Sequence, residues 1–402
     1  MRVLHILGEL KPSGAELMYR AAAERWRAQG LECDILAIGD APGVLAPQLE
    51  AAGYRIHHLP FERSAGHVWR VFRFLRRQRY DAVHVDGERA CFWYSSAAYL
   101  AGTRRLFRTI HNVFPFRGAL RLRRRLQRRL LRALGVRMIA ISPSVEATEM
   151  RTFANPTVLI PNWFDDRVYV PPSGEQRLRA RRRFHLGGST VVFSTVAGCW
   201  SYKNHAAILG ALAELPRDLD IVYLHAGMEE DGAPERRLAS RLGIEERVRF
   251  LGVVPEVLPV LHASDGYLMP SLYEGFGCAA IEAMGAGLPV ILSDVPGLRD
   301  FAGVCPGIRW TGTTPGSIAA AMLELARTPP GERRNTGLRL SDAVHRRFAM
   351  SNGAAAYARL YAGAEPFGGE SPAPVDGAPP APLHPTTAAC ERRAGQCRCD
   401  IP

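Results

Sequence analysis

Short runs of β-branched and other apolar residues recur along the chain, separated by longer stretches whose apolar positions return at helical spacing. In the first half the runs predict strands over residues 3–7, 34–38, 55–59, 82–85, 106–110, 138–141 and 158–160, with helices between them such as 15–29 and 68–78. Strands that are apolar without alternation are covered on both faces, which is the condition in a parallel sheet crossed by helices. Strand–helix alternation therefore predicts an α/β fold with a doubly wound parallel sheet. The pattern breaks at Pro171-Pro172-Ser173-Gly174, and a charged segment, 175–183, follows. The break sets the first domain at 1–170. Alternation then resumes, with strands over 191–196, 221–225, 248–251, 266–269 and 290–292 and helices over 206–215, 234–242, 257–263 and 277–284. These elements predict a second doubly wound, Rossmann-like domain over 171–340. A last helix, within 341–364, is long enough to pack back on the first domain. From Glu365 the prolines at 372, 374, 379, 380, 382 and 385 predict a disordered tail over 365–402. Two such domains are expected to face each other across a cleft lined by the carboxyl ends of their strands.

Composition narrows the setting. Of 402 residues, 47% are apolar, enough for large cores, and no uncharged apolar run is long enough to span a bilayer. The opening run, 1–8, is too brief for a signal-peptide core, so an intracellular, cytoplasmic protein is expected. Cys33, Cys91, Cys199, Cys278 and Cys305 stand singly in apolar segments, as reduced cysteines do. Cys390, Cys397 and Cys399 cluster near His384 in the tail, with a spacing that matches no standard zinc module. A net charge of +12 suits an acidic partner such as a nucleoside diphosphate or an anionic lipid.

The densest chemistry lies in 270–284. A strand ends at Pro270, a turn with Glu274, Gly275, Phe276 and Gly277 follows, and a helix begins. The amides of a first helical turn attract an anion, and glycines let a ligand approach the backbone. Glu282 sits among Ala279, Ala280, Ile281, Ala283 and Met284. A carboxylate in that setting needs hydrogen-bond donors, and a ribose diol offers a pair of them. Lys203, just after another strand, is placed to neutralise a phosphate. Gly14 opens the first helix after a glycine-bearing loop, and His111 ends a first-domain strand.

In order, Phe250-Leu251-Gly252, Pro270-Ser271, Glu274-Gly275-Phe276-Gly277, Glu282-Ala283-Met284, Gly287-Leu288-Pro289-Val290 and Asp294-Val295-Pro296-Gly297 resemble the retaining glycosyltransferases of family 4, which have the GT-B fold. The resemblance implies that Glu274 contacts a donor hexose, that Glu282 holds the nucleotide ribose, and that Lys203 and the Gly14 amide meet the diphosphate. It also places His111 near the sugar. Catalytic roles are therefore expected for Glu274, Lys203 and His111, and donor contacts for Gly14, Lys203, Glu274, Gly275, Phe276, Gly277 and Glu282. The chain departs from the family twice. Gly198 stands where a second diphosphate-binding arginine is usual, and Trp163 replaces a glycine in the turn 161–165.

The resemblance implies a reaction that moves a hexose from a nucleotide-diphosphate sugar to an acceptor hydroxyl, with no cofactor and no metal. A binding protein without catalysis and a nucleotide-sugar epimerase of similar fold are the alternatives. Nucleic acid is not an expected partner, because the basic segment lacks interleaved aromatics. That segment, 117–137, holds nine arginines, no acidic residue, and leucines 122, 126 and 130 at helical spacing. It predicts an amphipathic basic helix suited to an anionic membrane surface.

Overall fold

The computed structural model describes residues 1–88, 90–113 and 116–367. The Pro-rich segment read as a tail, with its cysteines, lies outside the described residues beyond position 367. Contacts divide the chain into two compact units, one formed by Met1–Ile160 with the chain from Ala356 onward, the other by Pro161–Ala355.

The first unit contains β1 (Arg2–Leu7), β2 (Glu32–Ala37), β3 (Arg55–His58), β4 (Ala82–Val85), β5 (Arg105–Ile110), β6 (Arg137–Ala140) and β7 (Val158–Leu159). They form one parallel sheet in the order β3-β2-β1-β4-β5-β6-β7. The strand order reverses between β1 and β4, and such a switch point opens a crevice at the carboxyl ends of the strands.

The second unit repeats the plan with β8 (Val191–Val196), β9 (Ile221–Ala226), β10 (Val248–Phe250), β11 (Gly266–Met269), β12 (Val290–Ser293) and β13 (Arg309–Thr311), in the parallel order β10-β9-β8-β11-β12-β13. Neighbouring residues of one strand pack into different cores. Phe193 joins Ile208, Leu212, Tyr223 and Met322, whereas Val192 joins Leu224 and Val260 on the other face. Burial on both faces is why these strands read as unbroken apolar runs. Here the switch point falls between β8 and β11, so the loops that follow those strands lie side by side.

Two boundaries differ from the sequence expectation. The units part at Ile160, ahead of the Pro171–Gly174 break, because Trp163 and Phe164 are buried in the second unit. A Cβ on Gly353 would come within 2.1 Å of the Trp163 ring, and one on Gly285 within 2.5 Å of Phe164. The substitution of Trp163 for glycine is thus met by a glycine on the facing helix. The single helix expected within 341–364 is instead two, Pro330–Phe348 and Met350–Ala362. Ala349 between them is extended (φ −58°, ψ 142°) and bridges to Phe164, and Asp166 Oδ1 accepts the Met350 amide at 2.9 Å. From Ala356 the second of these helices belongs to the first unit, where the Tyr361 hydroxyl lies 2.6 Å from His84 Nδ1 and the Tyr357 hydroxyl 3.0 Å from Thr109 Oγ1.

The helices Ala46–Ala52, Cys91–Leu100, Pro143–Phe153 and Pro315–Arg327 and the strand β13 are additional to the elements expected from the sequence. Cys91–Leu100 is apolar nearly all round, which erases the helical period. The charged segment after Pro172 is the helix Gly174–Arg183, entered through a capping box between Ser173 and Gln176.

Candidate active site

Lys203 and Glu274 meet at the second unit's switch point. Lys203 ends a short turn, Ser201–Lys203, after β8, and Glu274 lies in the loop after β11. The Lys203 ammonium donates to Glu274 Oε1 at 2.5 Å, and the Ser271 hydroxyl donates to the same oxygen at 2.8 Å. Burial opposes the lysine's charge, but Glu274, with smaller contributions from Tyr202 and Cys278, more than offsets it and the Lys203 pKa is raised. The two loops are also tied through the backbone. The Leu272 amide donates to Tyr202 O at 2.8 Å, and Asn204 Nδ2 donates to Pro270 O at 3.1 Å and Thr313 O at 2.9 Å. Tyr202 stacks on Tyr273, with ring centroids 5.1 Å apart. The ion pair is therefore held by loops that cannot shift independently.

The turn after Glu274 depends on its glycines. Gly277 has φ 90° and precedes the helix Cys278–Gly285, and a Cβ there would lie 2.6 Å from Leu298 Cδ2. Gly297, with φ 87°, passes so close that its Cβ would lie 2.3 Å from the Glu274 carbonyl oxygen. Phe276 between them is buried, in edge contact with Phe301 (5.2 Å) and Phe348 (5.3 Å). Its ring anchors the turn in the core and leaves only its backbone for a ligand. The helix that follows presents first-turn amides and a positive dipole end. Asn162 Nδ2 lies 3.3 Å from Cys278 Sγ, tying residues just past Ile160 to that helix start.

Glu282 lies on the same helix. Burial pushes its carboxyl up to about 7, against a hydrogen bond from the Tyr169 hydroxyl. A carboxylate held in such surroundings is stabilised by further hydrogen-bond donors.

The position of Gly198 also has a structural account. A Cβ there would lie 2.9 Å from Trp200 Nε1, so the indole occupies the space next to this backbone. Two buried histidines brace the same segment, with His225 Nε2 2.9 Å from Ala197 O and His205 Nε2 3.1 Å from Gly198 O. Burial drives the His205 pKa down to about 3, so its ring is neutral. Cys199, His205 and His225 form a buried group with ligand atoms within 4.8 Å of one another. An Nε2–H donated to a carbonyl is not available as a lone pair to a metal.

Gly14 and His111 belong to the first unit. Gly14 begins the helix Gly14–Ala28 behind Ser13, whose hydroxyl bonds the Glu16 carboxylate. His111 follows β5, with Nε2 3.3 Å from Asp86 Oδ1, and Asp86 follows β4 beside that unit's switch point. The structure thus unites Lys203, Glu274, Gly275 and Gly277, with Glu282 one helix further along, and sets Gly14 and His111 in the other unit. Sequence reasoning assigned no contact to Asn204, Ser271, Tyr169 or Asp86. They are common polar residues whose roles exist only once loops from distant strands meet.

This arrangement of two doubly wound parallel units is the GT-B architecture of glycosyltransferases. A glycosyltransferase from Rickettsia africae superposes with a TM-score of 0.78 at 15% identity, over 90% of this chain and 97% of that one. HepE of Anabaena, solved with UDP-glucose, superposes with a TM-score of 0.76 at 20% identity, over 90% of this chain and all (100%) of that one. The sequence profile of Glycosyltransferase Family 4 matches residues 12–168, and that of Glycosyl transferases group 1 matches residues 189–328. The chain belongs to this family and is a glycosyltransferase. Among curated relatives, the putative glycosyltransferase EpsF of Bacillus subtilis is 25% identical over 319 residues, 73% of this chain and 79% of EpsF. The 2-deoxystreptamine glucosyltransferase of Streptomyces kanamyceticus is 31% identical over 208 residues, half of each chain (50% and 51%).

Proposed function

We propose that the enzyme moves a hexose from a nucleoside diphosphate sugar to an acceptor hydroxyl, with retention at the anomeric carbon and without a metal. The observation that carries this reading is the Lys203–Glu274 pair at the switch point, next to a helix start. Breaking the bond from the anomeric carbon to the diphosphate builds negative charge on the leaving oxygens. Lys203 and the first-turn amides of Cys278–Gly285 are fixed positive groups that lower that charge's energy without reorganising. A diphosphate that meets Lys203 competes with Glu274 for the ammonium, and Glu274 then turns its oxygens to the hexose hydroxyls. Glu282 accepts the ribose diol, whose donors supply what burial withholds. The electrons of the broken bond go to the diphosphate, the acceptor oxygen bonds the anomeric carbon, and the diphosphate takes the acceptor proton.

The test begins with thermal-shift measurements against UDP-glucose, UDP-galactose and GDP-mannose in EDTA, because a ligand of the native state raises the melting temperature. Turnover in EDTA, with product of the donor's anomeric configuration by NMR, is the expected result. Binding without turnover supports the non-catalytic alternative, isomerised donor supports the epimerase, and restoration by Mg²⁺ or Mn²⁺ overturns the metal-free reading.

A second reading concerns a membrane. Within the helix Gly118–Ala133, Leu122 (70% exposed), Leu126 (56%) and Leu130 (45%) form an exposed row at i,i+4 spacing. Arg121, Arg123, Arg125 and Arg129 are exposed beside it. Exposed leucines among arginines favour peripheral contact with an anionic bilayer over a merely solvated face. No described helix is long and apolar enough to cross a membrane.

A further inference from the structure

Asp86 is surrounded by groups that the donor site does not use. It is buried at the carboxyl end of β4, with the Tyr19 hydroxyl donating to Oδ1 at 2.7 Å and His111 Nε2 3.3 Å from the same oxygen. His84 Nε2 is 3.7 Å from Oδ1, and His5 Nδ1 is 4.0 Å from Oδ2. Oδ2 makes no hydrogen bond among the described residues.

The three histidines are not equivalent. The His5 and His84 side chains are fully buried, and His84 is already engaged on both nitrogens, by Tyr361 and by Thr109. Burial lowers both pKa values, that of His5 to about 3, so both rings are neutral at physiological pH. His111 is the ring that reaches the surface, with its side chain 28% exposed. Burial opposes the Asp86 charge, but the surrounding imidazoles and the His111 hydrogen bond together more than offset it, and its pKa is lowered. Glu16 also faces this group, its carboxyl raised by burial.

A carboxylate accepts hydrogen bonds and cannot donate one, so the nitrogen of His111 turned to Asp86 must carry the proton. A neutral His111 then has its lone pair on Nδ1, the nitrogen without a hydrogen-bond partner among the described residues. We infer that Asp86 is a positioning residue that holds His111 as the Nε2–H tautomer and so presents Nδ1 as an acceptor to a substrate hydroxyl. This rests on the reading that His111 belongs to the reaction site. The hydroxyl is one on the donor hexose or the one on the acceptor.

The test uses the full chain with histidine labelled by ¹⁵N. The His111 signals are assigned by their loss in His111→Gln. In the wild type a protected imidazole N–H is expected on Nε2, and Asp86→Asn, which keeps the side-chain volume, is expected to weaken or lose it. An unchanged signal overturns the proposal. Kinetics give an independent measure. Loss of orientation is expected to lower turnover about a hundredfold, and Asp86→Asn is expected to add nothing in a His111→Ala background, because residues that act through one another are not additive. Additive losses mean that Asp86 acts otherwise, and overturn it. UDP-glucose hydrolysis and transfer to methyl glucoside separate the two hydroxyls. Both reactions fall when Nδ1 meets the donor, and transfer alone falls when it meets the acceptor. His111→Ala without effect on either reaction defeats both the placement of His111 in the site and the role of Asp86. A wild type that turns over no nucleotide sugar defeats the donor-site reading, while the N–H signal still decides whether Asp86 holds the ring.

Discussion

Lys203 and Glu274, 71 residues apart in sequence, form a 2.5 Å ion pair in which the two side chains are only 16% and 10% exposed. A pair so shielded does two things. It offsets the burial of each charge, and it places both groups where β8 and β11 end.

Removing one partner therefore affects more than activity. Lys203→Met leaves Glu274 buried with only Ser271 to satisfy it, and is expected to destabilise the protein by about 3 kcal/mol and abolish transfer. Lys203→Met combined with Glu274→Leu is expected to recover most of the melting temperature and none of the activity. Equal melting temperatures for the single and double variants contradict a coupled pair.

The Glu282 carboxyl, raised to about 7 by burial, fixes the sign of two pH effects. The folded state holds a proton that the unfolded state releases near pH 4.3, so stability falls as pH rises from about 4.3 to about 7. Glu282→Gln lacks this loss and is expected to melt higher than wild type at pH 8 but not at pH 4. Donor binding runs the other way, because only the ionised carboxylate accepts both hydroxyls of a ribose. The donor KM of the wild type is expected to fall through pH 7, and that of Glu282→Gln to stay flat and higher.

Gly297 packs its backbone against the turn that carries Glu274. Its φ of 87° and the 2.3 Å approach of an added Cβ to Glu274 O leave no room for alanine. Gly297→Ala carries about 1–2 kcal/mol of backbone strain before any clash is counted. It is expected to lower the melting temperature and raise the donor KM at least tenfold. An alanine variant with normal KM shows that the 274–277 turn tolerates displacement.

The arginines of the helix Gly118–Ala133 fall into two groups with different outcomes. Arg128 donates to both oxygens of buried Glu149 and lies 4.1 Å over the Phe153 ring, and Arg124 lies 3.5 Å from Glu88. These acidic partners come from other elements, so the run is less self-repelling than its composition implies. Arg128→Gln is expected to cost about 3–5 kcal/mol without a specific effect on vesicles. Replacing Arg121, Arg123, Arg125 and Arg129 by Gln should leave the melting temperature nearly unchanged and abolish co-sedimentation with anionic vesicles. At about 1 kcal/mol per arginine near such a surface, with screening inside about 8 Å, added salt should reproduce the loss. Equal co-sedimentation of wild type and variant removes the membrane from the reading.

Local sequence determined the periodic elements and the glycine-dependent turn, because strand burial, helix period and positive φ are properties of neighbouring residues. The runs 191–196 and 266–269 are legible for that reason, and so is the stretch from Glu274 to Glu282. Local sequence could not decide that Lys203 pairs with Glu274, that Gly297 makes room for the Glu274 carbonyl, or that Asp86 meets His111. Each relation joins loops brought together by the crossing of strands at a switch point. The helix break at Ala349 was hidden for the same reason. Nothing in Ser341–Tyr361 forbids a continuous helix, and only pairing with Phe164 and the capping of Met350 by Asp166 makes the extended residue the lower-energy choice.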